Sequence, residues 1–114
     1  MSKILHIEFI GDSHSQKAVD FVSSLGVCFD MLFIDGDHSY DGVKMDTEMY
    51  SSFVNDGGFV IYHDSSRVKD VKEYCNEIRQ GNSLGLEYFD EYIQDKRGFG
   101  LLVMRKVTEG NICL

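Results

Sequence analysis

The sequence predicts an α/β domain built on a mostly parallel, five-stranded sheet with an antiparallel strand near one edge. Three observations carry this reading. Two short, largely apolar runs, Phe29–Ile34 and Phe59–Tyr62, lack the polar alternation of a half-exposed strand and suit strands covered on both faces. Segments of helical periodicity separate the runs, and strands alternating with helices imply crossovers and parallel neighbours. Each run also ends abruptly in acid and imidazole: Asp35-Gly36-Asp37-His38 after the first, His63-Asp64-Ser65 after the second. Open parallel sheets bind ligands beyond the carboxyl ends of their strands, so these two ends form one candidate site.

The elements follow in order. Lys3 to Ile10 alternates, with Leu5, Ile7 and Phe9 opposite His6 and Glu8, as in a half-buried strand near a sheet edge. Gly11-Asp12-Ser13 has turn and helix-capping chemistry. Ala18, Phe21, Val22 and Leu25 then recur at helical spacing, and Gly26 ends that helix. The central strand, Phe29–Ile34, comes next. A helix is predicted over Tyr40–Val54, with Val43, Thr47, Tyr50 and Val54 on one face, broken by Asn55-Asp56-Gly57-Gly58. After the strand Phe59–Tyr62, Ser65 or Ser66 caps a third helix whose face is Val68, Val71, Tyr74, Cys75 and Ile78, and Gly81-Asn82 stops it. Leu86–Ile93 and Phe99–Met104 read as strands joined by a turn at Asp95–Gly98, which makes that pair antiparallel. Residues 1–106 form one domain and 107–114 a tail.

A chain of 114 residues with 43% apolar content folds as one ordered domain. Its net charge of −8 repels nucleic acid and anionic membrane surfaces, which excludes both as partners. Cys28, Cys75 and Cys113 form no Cys-x-x-Cys pair, so a zinc site is not expected, and Cys28 and Cys75 read as reduced core thiols. No leader and no apolar run near the ~20 residues of a membrane span are visible, which points to the cytoplasm.

Two strings, Phe-Ile-Asp-Gly-Asp-His-Ser-Tyr at 33–40 and Asp-Gly-Gly-Phe-Val-Ile-Tyr-His-Asp at 56–64, resemble the class I S-adenosylmethionine-dependent methyltransferases. They are most similar to the branch that methylates hydroxyls of sugars and natural products, often with a divalent metal. Phe-Ile-Gly-Asp-Ser at 9–13 fits that branch at the family's third strand, and Gly98-Phe99-Gly100 fits before the last strand. The resemblance covers residues 4–106 and implies a Rossmann-like, three-layer α/β/α fold. The family's first two strands have no counterpart, nor do its glycine-rich cofactor loop and ribose-binding acid, so the strand at Lys3–Ile10 is expected to pair directly with the central strand.

By itself, Asp35 reads either as a hard oxygen ligand for Mg²⁺ or another divalent cation, or as a carboxylate capping the next helix. The resemblance favours the metal, with Asp64 as partner and His63 or Ser65 completing the set, and it places Asp35 on the cofactor side as well. His38 then stands where related enzymes carry the base that deprotonates the acceptor, a small-molecule hydroxyl, and imidazole titrates in the right range. Asp12, Ser13 and His14 would face the adenine of S-adenosylmethionine, a role compatible with plain capping. With the cofactor's ribose and amino-acid contacts missing, weak or absent cofactor binding is expected. Two rival readings remain. A Gly-Asp-Ser-type esterase would use Ser13, His38 and Asp35, but it lacks the middle oxyanion blocks. A non-catalytic remnant would bind a partner or form a homo-oligomer.

Overall fold

The computed structural model describes residues 7–36, 38–65, 68–93 and 100–107. They form α1 (Gln16–Ser24), β1 (Phe29–Ile34), α2 (Tyr40–Tyr50), a 3₁₀ turn (Ser51–Phe53), β2 (Val54–His63), α3 (Lys69–Gln80), β3 (Leu86–Ile93) and β4 (Gly100–Lys106). The sheet has the order β1-β2-β4-β3. β1 and β2 are parallel, as their helical crossover requires, while β2–β4 and β3–β4 are antiparallel.

This corrects three expectations. The sheet has four strands among the described residues, not five, and one of its three pairings is parallel. Ile7–Ile10 is not a strand and does not pair with β1; the rest of the Lys3–Ile10 segment lies outside the described residues. The Phe9 side chain instead packs its ring on Phe21 of α1, with centroids 5.4 Å apart. Nor is the third layer seen among the described residues. α2 and α3 cover the sheet face carrying Ile34, Val60, Tyr62, Leu102 and Met104, whereas Met31 and Phe33 on the other face are 56% and 47% exposed. The turn at Asp95–Gly98 and the tail fall mostly outside the described residues.

The core otherwise follows from the sequence. Val71, Tyr74, Cys75 and Ile78 of α3 are buried together, with Val68 partly buried against them. Val43 and Thr47 of α2 join them in the interior. Thr47 Oγ1 donates to the Val43 carbonyl, so the buried Tyr62 hydroxyl, 2.9 Å away, donates to Thr47. Ser15, not Ser13, caps α1, accepting from the Ala18 N–H. Ser65 does not cap α3; the residue before that helix is Val68, which offers no side-chain bond. β2 starts at Val54, five residues earlier than predicted, and takes up the whole Asn55–Gly58 segment. A side chain at Gly58 would meet the Asp30 carbonyl and Val54 Cγ1 at 2.8 Å, and only glycine allows that approach. Cys75 is a buried free thiol as expected, but Cys28 is half-buried and disulfide-bonded rather than a reduced core residue.

Candidate active site

The parallel pairing decides the geometry. Ile34 lies opposite Tyr62, so the residues that follow, Asp35 and His63, leave adjacent strands side by side. His63 Nδ1 is 3.1 Å from Asp35 Oδ1 and 3.0 Å from Asp64 Oδ2. His38 Nε2 approaches from the loop before α2, 3.4 Å from Asp64 Oδ2 and 4.0 Å from Asp35 Oδ1. That loop is fixed by Ser39, whose Oγ accepts from the Gly42 N–H at the start of α2. One ligand atom each from Asp35, His63 and Asp64 falls within 4.8 Å of the others, the only such metal-ligating group among the described residues. All four residues predicted for metal and base are therefore together; Asp37 lies outside the described residues.

Asp64 is the strained member. Its φ is 62°, in the left-handed region, which costs a non-glycine residue about 1–3 kcal/mol. Its side chain is 8% exposed, and Oδ1 is buried with no hydrogen-bond donor among the described residues. Leaving such an oxygen unsatisfied costs a further ~1–3 kcal/mol. A backbone outlier and an orphaned carboxylate oxygen at one residue mark a place the fold keeps for something other than stability.

The residues expected at the adenine divide. Ser13 lines a cavity of about 470 Å³ between α1 and the open edge of β1, together with Phe9, Phe33, Asp35, Gly36 and Asp46. Asp12 and His14 do not line it. Asp12 Oδ1 accepts from the His14 N–H in a local turn, and His14 Nε2 lies 3.1 Å from both the Gly42 carbonyl and Asp46 Oδ1. Ser13 Oγ also donates to Asp46 Oδ1, at 2.8 Å, and the Tyr50 hydroxyl donates to the Ser13 carbonyl. Asp46, which anchors this cluster, was missed from the sequence. The signal was present: Asp46 sits on the same helical stripe as Val43, Thr47 and Tyr50, and an acid on an inward face has to be paired.

A family model described as a methyltransferase domain matches residues 5–65, more than half of the chain. The chain belongs to the methyltransferase-domain family. The matched span includes Asp12, Ser13, His14, Asp35, His38, His63 and Asp64. This methyltransferase domain is 35% identical, over 63 residues, to an uncharacterized protein of Acanthamoeba polyphaga mimivirus; the match covers 55% of the chain and 28% of the relative. Its fold is similar to a crystal structure from Klebsiella pneumoniae assigned by inference as an O-methyltransferase. That similarity has a TM-score of 0.51 at 19% identity and covers 79% of this chain and 47% of the other. The methyltransferase domain thus spans about a quarter of the curated relative's length and about half of the structural neighbour's.

Proposed function

We propose that this domain carries the acceptor-activating side of a metal-assisted, S-adenosylmethionine-dependent O-methyltransferase site whose substrate is a hydroxyl of a small molecule or sugar. The observation that carries the reading is the convergence of Asp35, His63 and Asp64 beyond two paired parallel strands, with His38 beside them. The residues fit a divalent cation. Two carboxylates supply hard oxygen donors, and Asp64 Oδ2, which faces His63 and His38, is the oxygen placed to hold such an ion. A cation bound there would lower the pKa of an acceptor hydroxyl. His38, half exposed and next to both acids, is placed to take the hydroxyl proton. Phe9, Phe33 and Ser13 line the neighbouring cavity and would give the adenine two aromatic rings and one hydroxyl.

Cofactor affinity is the weak point. Nothing in these residues replaces a glycine-rich loop or a ribose-binding acid. Each lost charge-assisted hydrogen bond is worth about 1.5–3 kcal/mol, so S-adenosylmethionine binding by this chain alone is expected to be weak or absent. The sheet face that exposes Met31 and Phe33 favours a second reading, a non-catalytic domain that self-associates.

Manganese titration followed by electron paramagnetic resonance tests the metal site. One ion should bind the wild-type chain, and Asp35→Asn and Asp64→Asn should each weaken it at least tenfold. Equal affinity in all three proteins would remove the basis of the proposal.

A further inference from the structure

We infer that Glu91 is a positioning residue for this site, acting through Ser65 to hold Asp64 in its left-handed conformation; the inference rests on the metal reading above. A strained backbone persists only where its surroundings over-determine it. At Asp64 the constraint comes from the next residue. Ser65 is 1% exposed. Its N–H donates to the Gly100 carbonyl at 3.2 Å, and its Oγ donates to Glu91 Oε2 at 2.9 Å. Glu91 is held in turn by α3, its Oε1 accepting from Arg79 Nη2 at 2.7 Å. A chain of charge-assisted bonds therefore runs from α3 through β3 to the residue after Asp64.

Glu91 reaches Ser65 because of an irregularity in β3. Tyr88 opposes Met104 on β4, but Asp90 opposes Val103, so Phe89 is an extra, unpaired residue. Directly opposed residues share a face of the sheet. With the bulge, Glu91 opposes Leu102, which is fully buried on the face covered by α2 and α3. Without it, Glu91 would oppose Leu101 and point to the other face, away from Arg79. The displaced Phe89 packs instead on Phe59, with ring centroids 5.1 Å apart.

The test uses the full chain, without metal and then titrated with Mn²⁺. Glu91→Ala should speed exchange of the Ser65 amide hydrogen at least tenfold in the metal-free protein. Glu91→Ala and Ser65→Ala should each weaken Mn²⁺ binding about tenfold, and Glu91→Gln, which keeps an acceptor for Ser65, should recover most of that loss. Val54→Ala, a core truncation at the far end of β2 from His63, should lower stability and leave Mn²⁺ affinity unchanged. Unaltered Ser65 exchange in Glu91→Ala would overturn the inference, and so would an equal affinity loss in Val54→Ala. If the wild-type chain binds no Mn²⁺ while Glu91→Ala still frees Ser65, the metal reading fails and the clamp on Asp64 stands.

Discussion

At Asp64 the backbone and the side chain both work against stability, one through φ 62° and the other through a buried oxygen without a donor among the described residues. Glycine adopts that backbone at no steric cost. Asp64→Gly is therefore expected to melt no lower than the wild type in EDTA, with a gain of up to ~1 kcal/mol. The same variant should lose Mn²⁺-induced stabilisation, worth about 2.7 kcal/mol at a hundredfold excess over Kd. Calorimetry with and without metal reads both effects, and a lower melting temperature in EDTA would show that the fold needs the carboxylate. Two other perturbed groups have plain structural causes. The Tyr40 hydroxyl donates to Glu77, whose carboxylate pushes the phenol up to about 12, and burial pushes the Cys75 thiol up to about 12.

Among the elements, α1 depends most on a few polar contacts. It borders a cavity rather than a filled core, and Asp46 of α2 holds the loop before it through Ser13 and His14. Asp46→Ala removes the acceptor for Ser13 and leaves His14 only the Gly42 carbonyl, at a cost of about 1.5–3 kcal/mol for the lost charge-assisted bond. Amide exchange in Gln16–Ser24 should accelerate while β2 and β4 keep their protection; uniform acceleration across the sheet would mean that α1 is not held locally. Element by element, the sequence was legible where periodicity ran long. The bounds of β3 and the buried face of α3 came out as expected. The start of β2 did not, because Asn55-Asp56-Gly57-Gly58 has turn composition. Tertiary contacts override it: Val54 pairs with Phe29, Asn55 Nδ2 donates to Asp30 Oδ1, and Gly58 closes on the Asp30 carbonyl.

For the whole molecule, the buried thiol and phenols set the alkaline limit. Burial raises Cys75, Tyr62 and Tyr74, so the folded chain keeps protons that the unfolded chain loses. Stability from these groups is complete below about pH 9 and drains away as the pH climbs toward 12. Lys106, lowered by burial, works weakly the other way in the same range. Urea midpoints measured between pH 8 and 11 should fall steadily, and a flat profile would contradict the burial of these side chains. At this scale the sequence made the junction of Asp35, His63, Asp64 and His38 legible, because two similar strand ends on parallel neighbours must meet. It hid Asp46 and Glu91, since each acts through a partner far along the chain.

The unpaired Phe89 has a consequence for how such a chain tolerates change. Which way Glu91 looks is a matter of parity, odd or even, counted along β3 from the last paired position. A one-residue insertion or deletion between Tyr88 and Glu91 would leave composition, charge and strand content almost untouched and still turn the acid outward. Tuning of the distant loop at Asp64 is thus written in the number of residues in a strand as much as in their identity.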